Sequence, residues 1–323
     1  MRIAVCALVA CALTAIPAGA DDSSAALSAG GIVFTRNTPV RMAAEDLYVS
    51  PKQVRIRFEF TNDTDKNVDT VVAFPLPDVD MATFWASPLG AVIDDPVNFV
   101  GFKAAVDGKP VALSVEQRAF LKGKDVTALV AAAGLPVNLF AGDGYRKLDA
   151  LPADKHKRLT AAGLVQGDGK TEFIPQWVMR TRFYWTQRFP AHKAVVIEHS
   201  YQPVTGQSYF SAADAGKPSY GGVGYCIDAP TRAAIRAEAA ERKQADPEGG
   251  GYLTAYQTDY ILKTANNWNG PIGRFHLTLD KLKPANVLSL CWDGALQKTG
   301  PTTFEATRTN FAPARDIRLL VLQ

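Results

Sequence analysis

Apolar and polar side chains alternate along several segments of this chain, and this alternation constrains the fold more than any other feature of the sequence. From Gln53 to Phe60, even-numbered positions are apolar and odd-numbered positions are polar or charged. From Glu172 to Phe189, aromatic residues concentrate at odd positions and arginines at even positions. Successive side chains of a strand point to opposite faces of a sheet, so both segments predict half-buried β-strands.

Turn residues between such segments predict how the strands are connected. Polar turn residues fill positions 61–67, directly after the first alternating segment. Asp107-Gly108 separates two further apolar segments, and this dipeptide is typical of a β-hairpin. The spacing predicts antiparallel sheets that form a β-sandwich over residues 21–205.

A helical insertion is predicted within the sandwich, over about residues 114–170. Ser114 and Gln117 have the spacing of a capping box at a helix N-terminus. Asp125 and Pro152 are typical first residues of two further helices.

The remainder of the chain predicts a second β-rich region over residues 206–323. It contains one segment rich in Ala, Glu and Arg, which predicts a helix at about 231–245. The predicted fold class is therefore mainly β (α+β), with an antiparallel β-sandwich, a helical insertion and a second β-rich region that carries one helix.

The first twenty residues have the pattern of a secretory signal peptide. Arg2 precedes an apolar stretch, and Ala18-Gly19-Ala20 forms a small-residue cleavage site. We therefore expect cleavage after Ala20 and a periplasmic protein. The alternatives are a buried N-terminal helix or lipoprotein processing at Cys11. No later segment is apolar for long enough to predict a transmembrane span.

Removal of that segment would leave Cys226 and Cys291 as the cysteines of the mature chain. Two cysteines in an exported protein predict a disulfide, because oxidising compartments preserve the bond. The formal net charge of the whole chain is +3, which provides no electrostatic reason to expect nucleic acid as a partner.

Two groups of residues are candidates for a binding surface. The arginines would form one basic face for anionic sugars or lipid headgroups if their strands were adjacent, and the alternative is an ordinary solvated sheet face. The tryptophans would form a flat carbohydrate platform, and the alternative is the core. The candidates are Arg55, Arg57, Arg180, Arg182, Trp177 and Trp185.

The sequence contains no recognisable catalytic or metal motif. His192 and His199 do not have the spacing of a zinc site, and Glu198 points to the opposite face of its strand from His199. There is no G-x-S-x-G nucleophile elbow and no complete phosphate-binding loop. We therefore predict no catalytic residue, metal or cofactor.

Two resemblances to known families rest on specific segments. The segments from Phe60 to Val68 and from Ala105 to Lys109 resemble the opening of a vault/inter-alpha-trypsin-type β-sandwich. Over nearly the whole mature chain, the sequence resembles exported proteobacterial proteins of domain-of-unknown-function family 4424. That resemblance implies a periplasmic β-rich protein and brings no reaction, cofactor or catalytic residue. The segments that carry it are Asp22–Leu27, Gly30-Gly31, Glu45–Tyr48, Ala73–Pro77 and Trp268–Gly273 leading to Cys291.

These observations favour a non-catalytic protein over an enzyme. We predict an exported binding or envelope-interaction protein whose partner is an envelope protein, glycan or lipid. One alternative is an envelope hydrolase whose site is assembled from distant residues, and another is a purely structural β-sandwich protein.

Overall fold

The computed structural model describes residues 23–28, 31–34, 38–85, 89–90, 94–167, 172–221 and 223–323. The predicted signal peptide, residues 1–20, and the alternative processing site at Cys11 lie outside the described residues. None of the described helices is both long and apolar enough to span a bilayer.

Strands dominate the described residues, and α-helices lie within residues 81–85, 127–161 and 229–245. The elements of the first half are β1 (Ser23–Ser28), β2 (Gly31–Phe34), β3 (Val40–Val49), β4 (Val54–Asn62), β5 (Val68–Pro75), β6 (Val79–Asp80), α1 (Met81–Trp85), β7 (Leu89–Gly90), β8 (Lys103–Val106), β9 (Lys109–Pro110), β10 (Ser114–Leu121), β11 (Lys124–Asp125), α2 (Thr127–Ala132), α3 (Gly144–Asp149) and α4 (Ala153–Ala161). Those that follow are β12 (Val165–Gly167), β13 (Phe173–Pro175), β14 (Val178–Phe189), β15 (Lys193–Tyr201), β16 (Thr205–Phe210), α5 (Ala229–Ala245), β17 (Leu253–Tyr260), β18 (Ile272–Asp280), β19 (Val287–Ser289), β20 (Gln297–Lys298), β21 (Thr303–Phe311) and β22 (Ile317–Leu322).

Three large sheets contain most of these strands. Sheet A has the order β11-β10-β14-β5-β1-β2, with β6 beside β14. Sheet B has the order β20-β21-β18-β3-β4-β15-β8-β9, and sheet C has the order β19-β22-β17-β16-β7. Neighbouring strands in the described sheets are antiparallel except β18 and β3, which are parallel.

Sheets A and B pack face to face, and aromatic side chains fill the space between them. Phe102, just before β8, stacks on Phe183 of β14 with 4.4 Å between ring centroids and on Phe74 of β5 with 5.0 Å. Phe60 of β4 contacts Phe189 of β14 at 5.7 Å. All five side chains are buried. The predicted mainly β fold class is thus confirmed.

Sheet C has a different layer on each face. Leu319 and Val321 of β22 belong to the main core, whereas Leu320 and Leu322 of the same strand pack with Ile235 of α5. The disulfide predicted between Cys226 and Cys291 is present and joins residues 65 apart in the sequence. It connects the segment before α5 to the segment after β19.

The predicted helical insertion begins later than expected. Residues 114–121 form strand β10, and each residue from Ser114 to Phe120 pairs with one of β14. The expected capping box is therefore wrong, because pairing along a long neighbouring strand outweighs a local helix signal. Helices α2 and α4 begin close to the predicted residues, since the Asp125 carboxylate accepts a hydrogen bond from the Thr127 amide and Pro152 precedes α4.

Strand β18 lies next to β3 although the two are far apart in the sequence. A side chain on Gly273 would place its Cβ 2.5 Å from the carbonyl oxygen of Ala43, so only glycine allows the two backbones to approach this closely. Trp268 packs on Phe60 with 4.5 Å between centroids. Strands from both sides of the border predicted near residue 205 therefore share sheet B, and the two-domain division remains a prediction.

Candidate functional site

The two candidate tryptophans point into the core. Trp177 is fully buried and its indole N–H donates to the carbonyl of Val137 at 2.9 Å, and Trp185 is 5% exposed. Trp185 lies on β14, whose odd-numbered side chains pack against sheet B, and Trp177 immediately precedes that strand, so both belong to the inner, buried side. The tryptophans are therefore not placed as an exposed carbohydrate platform.

The four candidate arginines divide between two sheets. Arg180 and Arg182 lie on β14, on the face of sheet A directed away from the core, whereas Arg55 and Arg57 lie on the corresponding outer face of sheet B. Since the inner faces of these sheets pack against each other, the outer faces point in opposite directions. The arginines do not form one basic face.

The arginines of sheet A are paired with carboxylates. Arg182 is 2.7 Å from Glu116, which lies directly opposite it on β10. Arg180 is 3.0 Å from Asp78 and stacks over the Phe120 ring. This face is electrostatically satisfied within the protein.

Sheet B has an open cleft of about 720 Å³ on its outer face. Strands β18, β3, β4, β15 and β8 form its floor, and residues 110–113 form one wall. The wall is apolar, with Pro110, Val111 and Leu113. The predicted Asp107-Gly108 hairpin holds this wall against the sheet, because the Asp107 carboxylate accepts a hydrogen bond from the Val196 amide at 2.9 Å.

The strand register arranges the polar side chains of the floor in two parallel rows. The first row runs across the strands through Tyr48, Arg55, Ser200 and Lys103. The second row, two residues along each strand, runs through His276, Asp46, Arg57 and Glu198. Residues far apart in the sequence are thus brought together.

The β18 and β3 side of the cleft is satisfied internally. Arg274 donates two hydrogen bonds to the Asp46 carboxylate, both at 2.8 Å. The Tyr48 hydroxyl donates to Asp280 at 2.8 Å, and burial together with this bond raises the pKa of Tyr48. His276 lies 3.7 Å from Asp46 and 3.5 Å from Glu305.

The β4, β15 and β8 side contains cations without internal counter-ions. Within the described residues, no carboxylate oxygen lies within 4 Å of the Arg55, Arg57 or Lys103 nitrogens, and Glu198 has no cation within that distance. The Arg55 guanidinium lies 4.2 Å above the centre of the Tyr48 ring, which restricts its position. We call Arg55, Ser200 and Lys103 the cation row.

Three of the four histidines lie in clearly different environments. His199 is buried among Phe58, Phe74 and Phe102, and burial lowers its pKa to about 3, so it is neutral at physiological pH. His192 bonds to Asp65 in an exposed turn at 2.7 Å. His276 lies on the cleft floor, where its close polar contacts among the described residues are the carboxylates of Asp46 and Glu305.

Glu45 is a buried carboxyl that the sequence analysis missed. It has no exposed surface, and desolvation raises its pKa to about 8. The Tyr260 hydroxyl donates to one of its oxygens at 3.3 Å. The sequence contained a signal for this burial, because Glu45 and Asp46 are consecutive in a strand and must point to opposite faces. Asp46 faces the cleft, so Glu45 must face the core.

The fold and the site together define a β-rich protein with an open cleft of small-molecule size. The chain belongs to the family described as domain of unknown function DUF4424, whose model matches residues 20–320. This confirms the family resemblance noted in the sequence.

Comparison with solved structures found a crystal structure from Legionella pneumophila, provisionally described as a nutrient binding protein, with 14% identity and a TM-score of 0.48. The match covers 94% of this chain and 70% of that one, and a likeness of this size carries no argument about function. Among curated proteins there was no significant match.

Proposed function

We propose that this protein is an exported, non-catalytic binding protein of the bacterial envelope and that the cleft on sheet B is its ligand site. The observation that carries the proposal is the cleft itself. Its volume of about 720 Å³ is within the range of small-molecule sites, and a few polar groups converge beside an apolar wall. The Arg55 and Lys103 side chains of the cation row line the cleft and are available to a ligand.

Two features support export to the periplasm. The first twenty residues have the composition of a signal peptide, and the Cys226–Cys291 disulfide is of a kind that persists in oxidising compartments. Cell fractionation followed by N-terminal sequencing should recover a periplasmic chain that begins at Asp21. A chain that begins at a lipid-modified Cys11 would support lipoprotein processing instead.

A matched pair of substitutions tests the cleft as the ligand site. Ala105 lies on the cleft floor, and Ala194 lies on the same outer face of sheet B but outside the cleft. Ala105→Trp should fill the cleft, whereas Ala194→Trp adds the same side chain without blocking it.

Native mass spectrometry of protein purified from its own periplasm measures the result. We expect a bound molecule of a few hundred daltons on the wild type and on Ala194→Trp, and none on Ala105→Trp. Recovery of bare protein in all three samples, or an equally loaded Ala105→Trp variant, would contradict the proposal and favour a purely structural role.

A further inference from the structure

We propose that the ligand of the cleft is a small organic acid whose single carboxylate or phosphate group binds to the cation row. This inference rests on the proposed function and adds the chemistry of the ligand. Arg55 and Lys103 would hold the anionic group from either side, and the Ser200 hydroxyl would donate to it from the floor.

The strand register places these three residues side by side on adjacent strands. Ser200 of β15 lies directly opposite Arg55 of β4 and directly opposite Lys103 of β8. Neighbouring strands are about 4.8 Å apart, so the two cationic residues originate about 10 Å from each other with a hydroxyl between them. Side chains as long as Arg and Lys can reach a single anionic group across that distance.

Within the described residues, the two cations of the row have no carboxylate partner. Arg274 and Arg41, on the same sheet, lie 2.8 Å and 3.6 Å from Asp46 and Asp63. By contrast, no carboxylate oxygen lies within 4 Å of Arg55 or Lys103 in the parts of the chain described here. Charge-assisted hydrogen bonds to carboxylate or phosphate are the strong interactions that such groups make.

One member of the row, Arg55, is already restricted in position. The Arg55 guanidinium stacks on Tyr48, and Tyr48 is fixed by its hydrogen bond to Asp280. A cation already held in position loses less conformational freedom on binding, which favours the bound state.

The surroundings of the row limit the ligand to one anionic group. In the next row Arg57 and Glu198 lie directly opposite each other, so their charges balance and provide little attraction for a second anion. Pro110, Val111 and Leu113 offer an apolar surface to the rest of the molecule. A monoacid with an apolar body fits this distribution better than a polyanion.

Isothermal titration calorimetry with four probes tests the chemistry on the full mature protein. Hexanoate and hexyl phosphate should bind, whereas hexanamide and hexylamine should bind about 100-fold more weakly, which corresponds to the loss of both charge-assisted contacts. Binding of the two acids should weaken as salt is raised. Equal binding of hexanamide or hexylamine, or no binding of either acid, would overturn the inference.

Variants locate the binding to the cation row. Arg55→Gln and Lys103→Gln should each weaken hexanoate binding about tenfold, and the double variant about 100-fold. The control Arg188→Gln/Lys124→Gln removes the same charge from sheet A and should bind like the wild type. Unchanged affinity in Arg55→Gln/Lys103→Gln would overturn the inference.

Two further outcomes separate this inference from the proposed function. If native mass spectrometry finds a ligand that is lost in Ala105→Trp but kept in Arg55→Gln/Lys103→Gln, the cleft is a ligand site and the inferred chemistry is wrong. If phosphatidylglycerol vesicles bind the protein through the cation row while free hexanoate and hexyl phosphate do not, the source of the anion is a lipid headgroup and the inference of a free acid fails.

Discussion

The outer faces of sheets A and B both carry arginines on alternating strand positions, but the two faces use them differently. On sheet A, Arg182 lies opposite Glu116 and Arg188 lies opposite Asp69, and both pairs are in contact. On sheet B, the residue opposite Arg55 on β15 is Ser200. At these positions Arg182 and Arg188 are neutralised by the carboxylate that faces them, whereas Arg55 faces a serine and is left available to a ligand.

Placing a carboxylate in the cation row should convert the sheet B arrangement into the sheet A arrangement. In Ser200→Asp, the new carboxylate would lie between Arg55 and Lys103 and compete with any anionic ligand. We expect hexanoate affinity to fall at least about 100-fold, by calorimetry, with no loss of thermal stability.

The isosteric Ser200→Asn is the control for that substitution. It changes the size of the side chain in the same way but adds no charge, and it should retain most of the hexanoate affinity. Equal losses in both variants would mean that side-chain volume, and not charge, governs binding.

The two faces of β3 offer a second contrast, because Asp46 is ion-paired in the cleft and Glu45 is buried. A carboxyl with a pKa of about 8 when folded and about 4.5 when unfolded binds more protons in the folded state between these values, so it lowers stability as pH rises toward 8. His199 has a pKa of about 3 when folded and about 6.5 when unfolded. Between these values the unfolded state binds more protons, so His199 raises stability as pH rises. Of these two groups, only Glu45 therefore changes the free energy of unfolding between about pH 6.5 and 8.

Urea unfolding across that pH window measures the effect. The free energy of unfolding of the wild type should fall by about 2 kcal/mol from pH 6.5 to 8, at a slope of up to about 1.4 kcal/mol per pH unit. Glu45→Gln should be nearly independent of pH there, and Glu59→Gln, on the outer face of the same sheet, should keep the slope. An identical slope in Glu45→Gln would show that this carboxyl is not the source.

Removal of a carboxylate should affect stability on sheet A more than on sheet B. Arg182 and Glu116 are largely buried, with side-chain exposures of 11% and 18%. Glu116→Gln would leave the Arg182 charge without its partner and should lower the free energy of unfolding by about 1.5 kcal/mol. Glu198→Gln removes a carboxylate with no cation within 4 Å in the described residues, and urea midpoints should show a much smaller change.

The smallest effect is expected at the exposed edge of sheet A. The pair of Arg188 and Asp69 is well exposed, so solvent screens its interaction. The urea midpoint of Arg188→Gln should equal that of the wild type within error. A clear decrease would show that even exposed pairs stabilise sheet A.

The sequence predicted local features well and the assembly of the cleft poorly. Alternation predicted which side chains share a face, so that Arg55 was grouped with Arg57 and Trp177 with Trp185. It contained no information on which strand would lie beside β4. The cleft depends on the pairing of β4 with β15 and of β15 with β8, which sets Ser200 between two cations. Long-range pairing is determined by burial over the whole sheet, and no local pattern encodes it.

Ser114 is a case in which long-range strand pairing overrode a local sequence signal. Its spacing to Gln117 satisfies a local helix rule, but both residues pair with β14 across the sheet. By contrast, the short-range signals at Asp107-Gly108, at Asp125 and at Pro152 each act within a few residues, and each produced the expected turn or helix start.

A crystal structure of the protein purified from its own periplasm, grown without anionic precipitants, tests the central claim most directly. We expect a small molecule in the cleft with a carboxylate or phosphate over Ser200, within hydrogen-bond distance of Arg55 and Lys103. An occupied cleft in which no anionic atom approaches these residues, or a protein that is consistently isolated with nothing bound, would contradict it.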